Sequence, residues 1–510
     1  MFCLSIHPVL QSLSSELVIG YMDDITLGGP EAVVATDVQS VKTYGEPNGI
    51  FLNTDKCELL SLSPSTTVPL DKFVHVNFDN AVLLGAPLST GSAMAVSLQK
   101  KLAELKRASD RLGIIPSHDA LVLLRSSCSA PKLMHVLRSS PCADNMILNE
   151  IDDALRSALT KITNVNINDM QWKQASLPVN EGGLGVRSVV SIAPSAFLAS
   201  VSSTQPLQIR LLDKCRVGLP DLNYERQLAD WSTRHQGVTL PTGILANKQR
   251  SWDKPCIDEI HAALLNNQPD EYNRARLIAA SHAHSGDWLN ALPISSCGLR
   301  LDDEAVRVAV GLRLGAELCK PHHCSCGSLV DCRGAHGLSC KRSAGRAARH
   351  SYLNDIVHRA LIRAGVASSK EPAGLSRTDG KRPDGMTLVP WSSGKNALWD
   401  VTVTDTLASS YTQSTSVTAG AAAEAAASRK EEKYAMLATN HVFIPIAIET
   451  MGPICSKALV FLRDLGRRLT AATDDPRETA FLFQRLSIAI QRYNAVCFAG
   501  TFITDQAAED

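Results

Sequence analysis

A chain of 510 residues is too long for one ordinary hydrophobic core, and at roughly 150 residues per domain it holds about three. Apolar residues make up 45% and charged residues 20%, which excludes wholesale disorder; Lys+Arg and Asp+Glu both number 51, so any basic footprint for a nucleic acid must be local. The 14 cysteines are scattered apart from one cluster mixed with histidines, a usage that excludes a disulfide framework and points to a metal in a reducing compartment. The first ten residues are apolar but lack a basic stretch and a small-residue cleavage site, so no signal peptide is expected. No apolar run approaches membrane-spanning length, so no membrane partner is expected either.

In chain order, residues 1–90 read as short strands and turns. Apolar Leu17–Gly20 and Ile25–Leu27 flank Asp23-Asp24, which predicts a hairpin with carboxylates at its tip. Residues 91–205 read as a helical domain, with Leu98, Leu102, Leu105, Leu112, Leu121 and Leu124, then Ile151 and Leu155, at amphipathic spacing. The polar segment 206–300, with Trp231, Trp252 and Trp288 as isolated anchors, reads as a linker or helical region. Residues 301–343 combine a helix carrying Arg307 and Arg313 with the Cys/His cluster. Residues 344–505 predict an opening helix to about Ala364, strands Arg382–Val389 and Ala397–Thr404, a helix Ala421–Leu437, a strand Val442–Ile448 and two closing helices, an α/β order.

Adjacent Asp residues at a hairpin tip suit phosphoryl transfer, which needs carboxylates to hold divalent metals against the reacting oxygens; alone they equally suit a solvated turn. Their context is an ordered series. Tyr21-Met22-Asp23-Asp24 is followed by Gly49-Ile50-Phe51-Leu52-Asn53 with Lys56-Cys57-Glu58, by Leu84-Gly85-Ala86-Pro87-Leu88, and later by Leu177-Pro178 and Gly182-Gly183-Leu184-Gly185. This series resembles the palm and thumb of non-LTR retrotransposon reverse transcriptases. The resemblance implies that Asp23 is a metal ligand, that Asp24 supports it, and that Lys56 helps protonate the pyrophosphate leaving group. Met1-Phe2-Cys3-Leu4 looks like the tail of the helix that follows the template-gripping motif, so the fingers and the first palm strand, with the other essential Asp, are expected to be missing. The expectation is that this chain does not polymerise DNA by itself.

Cys324-Ser325-Cys326, His336 and Cys340 offer three thiolates and an imidazole, the donor set of structural Zn2+, with Cys332 and His323 open as alternatives for one position. A CCHC knuckle sits between thumb and nuclease in retrotransposons that carry a restriction-like endonuclease, which extends the resemblance. The basic run Lys341, Arg342, Arg346, Arg349 and His350 follows, and Arg342, Arg346 and Arg349 are candidate phosphate contacts, although a solvated helix face fits the same pattern.

Arg382-Pro383-Asp384-Gly385 opens one strand and Trp399-Asp400-Val401-Thr402 lies in the next, where alternation turns Asp400 away from the apolar side. Two carboxylates from adjacent strands can share Mg2+ or Mn2+. The spacing resembles the PD-(D/E)xK nuclease core, preceded by a helix that could add an acid and by Glu371-Pro372. Thr402 stands where that family has its lysine. In retrotransposon endonucleases the lysine is displaced to the next helix, which here offers Lys430 and Lys433, with Lys430 slightly favoured. Glu449-Thr450 could approach the site, and Gln484-Arg485 or Gln491-Arg492 could grip backbone. The expected fold is multidomain α+β and α/β: a partial reverse-transcriptase palm, a helical thumb, a zinc knuckle and a PD-(D/E)xK-like nuclease core. The expected function is metal-dependent DNA nicking beside an incomplete polymerase, with target DNA and element RNA as partners and residence in the nucleus inferred from the DNA target. The alternative is a catalytically inert nucleic-acid-binding remnant.

Overall fold

The computed structural model describes residues 2–213, 221–267, 270–373, 375 and 382–502. The chain divides into two compact units, one made of Met1–Glu104, Pro131–Asp152 and Ser188–Cys256, the other of Leu105–Ala130, Asp153–Arg187 and Ile257–Asp510. The fold is mixed α/β, dominated by helices around small sheets. Among the described residues no helix is long and apolar enough to cross a membrane.

Helix α1 (Phe2–Ser12) leads into the hairpin β1 (Leu17–Tyr21) and β2 (Asp24–Gly28), followed by α2 (Glu31–Gly45). Tyr21 pairs with Asp24, so Met22 and Asp23 form a two-residue turn, with Met22 at φ +55°, the left-handed geometry that short hairpin loops require. Ile6, Val9 and Leu13 pack on Val41, with Val18, Ile25 and Leu27 of the hairpin bordering them. Buried Asp37 of α2 accepts hydrogen bonds from Ser14 N, Ser15 N and Ser15 Oγ, which fastens the turn between α1 and β1. Short strands β3 (Glu58–Leu60) and β4 (Val74–Val76) pair in parallel, and β5 (Val82–Leu83) and β6 (Ala86–Pro87) antiparallel.

The leucine spacing forms helices α3 (Ser92–Leu112), α4 (Ser117–Leu123), α5 (Ala130–Ser139), α6 (Ile147–Thr163), α7 (Asp169–Ala175) and α8 (Val189–Leu211). Along the first of them Leu98, Leu102 and Leu105 are all buried. In the segment 206–300, of which 214–220 and 268–269 lie outside the described residues, the chain forms α9 (Leu222–Arg234), α10 (Gln249–Asn266), α11 (Glu271–Ala280) and α12 (Asp287–Asn290). Its tryptophans are core residues. Trp231 Nε1 donates to the Trp252 carbonyl at 3.0 Å and Trp252 Nε1 to that of Ala246 at 2.7 Å, while buried Trp288 N donates to Ser487 Oγ at 3.1 Å. Next come α13 (Asp303–Leu314), the small pair β7 (His322–His323) and β8 (Leu329–Val330), and α14 (His336–Ser339).

The remaining elements are α15 (Ala344–Arg363), β9 (Ser368–Lys370), β10 (Gly385–Thr387), β11 (Ala397–Thr404), α16 (Thr412–Thr415), α17 (Ala421–Lys433), β12 (Val442–Glu449), α18 (Ser456–Thr473) and α19 (Glu478–Ala499). Residues 503–505, the end of the expected nuclease segment, lie outside the described residues. The four strands order β12-β11-β10-β9; β11 and β12 are parallel, with Asp400 opposite Pro445, and the other pairs are antiparallel. A parallel pair needs a crossover, and α17 supplies it. Its alanines Ala422, Ala423, Ala426 and Ala427 are buried, small enough to let the helix lie close on the sheet. Trp399, Val401, Ile446 and Ile448 share one core with Leu353 and Val357 of α15, Phe461 and Leu465 of α18, and Leu486 and Ile490 of α19. The side of β11 that carries Asp400 is covered as well: Leu398 and Asp400 are both buried.

Candidate metal centres

Asp384 sits immediately before β10 and is held from three directions. Its Oδ2 accepts from Val401 N of β11 at 2.6 Å and contacts Nε2 of His350 on α15 at 3.0 Å. Its carbonyl accepts from Glu371 N and from Asn354 Nδ2, one turn beyond His350 on the same helix. Asn354 Oδ1 in turn accepts from Trp399 Nε1 at 2.7 Å. Asp400, 3% exposed, accepts from Lys430 Nζ of α17 at 2.5 Å. One ligand atom from each of His350, Asp384 and Asp400 lies within 4.8 Å of the others. The Asp384 hydrogen bond pushes the His350 imidazole above its ordinary range, against the opposing effect of burial.

The flanking candidates have other partners. Lys433 Nζ donates to Tyr434 Oη at 2.9 Å, and Tyr434 donates to the Arg382 carbonyl at 3.0 Å, pinning the segment that leads into Asp384. Glu371, at φ +48°, directs its carboxylate to Arg382. Glu449 lies four positions along β12 from Pro445, about 13 Å at 3.3 Å per residue. Its Oε1 accepts from Ala422 N and Ala423 N and so holds the start of the helix that carries Lys430. Burial pushes the Glu449 carboxyl upward. Gln484 and Arg492 bond to the carbonyls of Asn290, Gly298 and Arg300 within the chain, and Gln491 is buried. The helix before the strands, expected to offer an acid, brings a histidine to the carboxylates. Spacing carried a trace of this: His350 and Asn354 are four apart, so they share one face of α15.

The second centre brings together Cys324, Cys326, His336 and Cys340, with one ligand atom of each within 4.8 Å of the rest. Cys324 Sγ and Cys340 Sγ are 3.7 Å apart, and Cys326 Sγ is 3.2 Å from His336 Nε2. A zinc tetrahedron with Zn–S bonds of about 2.3 Å has S···S edges of roughly 3.8 Å, so these donors fit Zn2+. Hydrogen bonds from the Ser328 side chain and then its backbone pull the Cys326 thiol down to about 6, toward the thiolate a metal takes, while burial raises that of Cys340. Cys332 and His323 do not join the group: the Cys332 carbonyl accepts from Leu318 N and Cys319 N, and His323 pairs across to Leu329.

The basic run separates into different roles. Arg342, exposed, donates to the Ser325 carbonyl at 2.7 Å, and Arg346, exposed, donates to the Ser339 carbonyl at 3.2 Å. Arg349 corrects the expectation of a phosphate contact: it is 2% exposed and donates to Asn494 Oδ1 and the Leu338 carbonyl. Asp23 and Asp24 at the hairpin turn are exposed, as is Lys56 at the end of a single 3-10 turn. Among the described residues no group of three or more metal-ligating side chains includes Asp23 or Asp24.

No known protein-family profile matches this chain. Over 473 residues, 89% of the chain, it is 22% identical to the retrotransposable element SLACS 132 kDa protein of Trypanosoma brucei gambiense. The similarity supports a retrotransposon-derived origin. The chain spans 35% of the length of that relative.

Proposed function

We propose that the C-terminal part of this chain is a divalent-metal-dependent DNA endonuclease that nicks one strand, and that the chain by itself does not polymerise DNA. The observation that carries the reading is the meeting of Asp384, immediately before β10, with Asp400 of β11 and Lys430 of α17. Asp384 and Asp400 would hold Mg2+ or Mn2+, which when bound lowers the pKa of water and draws charge off the phosphate. Lys430, placed on Asp400, stabilises charge developing on the scissile phosphate and orients the attacking water. The contact of Lys433 with Tyr434 favours Lys430 for this part. Cys324, Cys326, His336 and Cys340 take a structural Zn2+, and Arg342 and Arg346 beside that knuckle meet DNA or element RNA phosphates. Asp23, Asp24 and Lys56 are the polymerase-like residues, and no group of three or more metal-ligating side chains in the described residues includes either aspartate. Action in the nucleus follows from a DNA target.

The test is nicking of supercoiled plasmid by the zinc-loaded chain in Mg2+ or Mn2+, beside Asp384→Ala and Asp400→Ala, with primer extension assayed in parallel. Nicking lost in both variants with DNA binding retained supports the reading. A folded, zinc-loaded chain that binds DNA and never nicks it replaces the nuclease with a binding module, and primer extension by the chain alone overturns the polymerase half.

A further inference from the structure

We infer that His350 is the third protein donor of the nuclease metal centre and that its imidazole makes this centre favour Mn2+ over Mg2+. The inference rests on the Asp384/Asp400 centre proposed above and adds to it the identity of a ligand and of the preferred ion. Its basis is the placement of Nε2. That nitrogen is 3.0 Å from Asp384 Oδ2, and it belongs with Asp400 to a set of donors that all fall within 4.8 Å. An octahedral ion with bonds of about 2.1 Å has adjacent donors roughly 3.0 Å apart, so the observed separation is that of two neighbouring ligands of one ion. Among the described residues the other polar neighbours are engaged elsewhere: Asn354 is bonded to Trp399 and to the Asp384 carbonyl, Glu371 to Arg382, and Glu449 to the start of α17.

The donor set decides the ion. Mg2+ takes oxygen ligands and gives up water reluctantly, whereas Mn2+, equally at home with carboxylates, is a transition ion that accepts an imidazole nitrogen more readily than Mg2+ does. Two carboxylates and one imidazole therefore bind Mn2+ more tightly than two carboxylates and a water, and add little for Mg2+. Lys430 on Asp400 offsets one of the two negative charges, which makes the neutral nitrogen donor the more important for holding a dication.

Mn2+ binding to the zinc-loaded chain is read by electron paramagnetic resonance, with Mg2+ as competitor and no nucleic acid present. Expected is one Mn2+ site for which Mg2+ competes weakly, with nitrogen modulation of the Mn2+ echo signal from a directly bound imidazole. His350→Gln, which retains a hydrogen-bond donor toward Asp384, should weaken Mn2+ at least about tenfold and leave Mg2+ within about threefold. His350→Asp, with an all-oxygen donor set, should reverse the preference. A wild-type site without nitrogen modulation, or a His350→Gln chain that binds both ions as wild type does, makes His350 a hydrogen-bonding partner of Asp384 only; the endonuclease reading then survives and this inference does not. No Mn2+ site in the wild-type chain removes both. The echo measurement needs no variant, so a misfolded His350→Gln chain does not shield the inference.

Discussion

Gly385 follows Asp384 because there is no room for a side chain. It pairs across the sheet with Trp399, and a Cβ built on it would sit 2.5 Å from Trp399 Cη2 and closer still to Cζ2 and Cε2. The indole is fully buried and its Nε1 is tied to Asn354, which also holds the Asp384 carbonyl. Gly385→Ala must therefore drive the ring toward α15. Overpacking of this kind costs about 1–3 kcal/mol, and the strained Trp399–Asn354 bond adds about 1 kcal/mol, for a total of about 2–4 kcal/mol. The melting temperature of the zinc-loaded chain should fall by roughly 5 °C or more by differential scanning fluorimetry. Nicking, measured well below that temperature, should fall about 100-fold, because displacing a metal-binding carboxylate by about 1 Å has that order of effect. Adding Trp399→Phe removes the colliding ring atoms and should restore part of the lost stability, a coupling that a double-mutant cycle reads directly. A Gly385→Ala chain that melts and nicks like wild type would refute the argument that the indole has no space to yield.

Lys430→Ala should lower nicking about 100-fold with DNA binding retained, whereas Lys433→Ala, which removes the contact to Tyr434 and leaves Lys430 on Asp400, should stay within about threefold; equal losses would remove the distinction between them. Cys340→Ser should abolish zinc binding, measured by metal analysis, and lower the melting temperature, since each structural ligand is needed to close the tetrahedron; full zinc content in the variant would reassign the fourth ligand. Burial drives His118 from its ordinary 6.5 to about 4, and its Nδ1 accepts from Leu301 N, so the folded chain holds it neutral. Between these values the unfolded chain binds the proton and the folded chain does not, so stability is complete above pH 6.5 and lost as pH falls toward 4. The loss is up to about 3 kcal/mol. His118→Asn, which keeps an acceptor for Leu301 N, should flatten acid denaturation over that window, and an unchanged profile would mean that another group governs it.

Chain patterning carried the elements whose periodicity is strong. The hairpin around Asp23-Asp24, the leucine helices and the strand–helix–strand order about α17 all form as the spacing predicts, because each has a local reason to form. The meeting of Cys324, Cys326, His336 and Cys340 was legible because thiolates clustered with imidazole have few other uses. Roles fixed by which way a helix faces were not. Arg349 and His350 are neighbours in one basic run, but successive helical residues point about 100° apart, so one enters the core against α19 and the other reaches Asp384. Lys430 and Lys433 pose the same problem three residues apart. The segment 206–300 looked featureless because its order comes from tryptophans that meet distant partners, as Trp288 meets Ser487, and such contacts leave no local period.

The knuckle and the carboxylate centre are joined by that same helical face change. Arg349 donates to the Leu338 carbonyl within the knuckle and to Asn494 of α19, and Asn494 donates to the Thr450 carbonyl just past β12. Gly334 and Gly337 lie so close on α19 that a Cβ at either would strike Phe498 or the Cys497 carbonyl, and His322 bonds to Thr501 and stacks on Phe502 at 4.3 Å. The Cys/His segment is thus packed along the helix that also backs the four-stranded sheet. The residue after Arg349 is His350, whose side chain touches Asp384, so the contact to the Leu338 carbonyl and the contact to Asp384 leave α15 from adjacent residues. On the reading proposed above, zinc bound at these four donors would brace the carboxylate centre. That is why the Cys340→Ser prediction bears on nicking as well as on nucleic-acid binding: a knuckle that served only to grip DNA or RNA would lose binding with zinc and leave the geometry at Asp384 as it was.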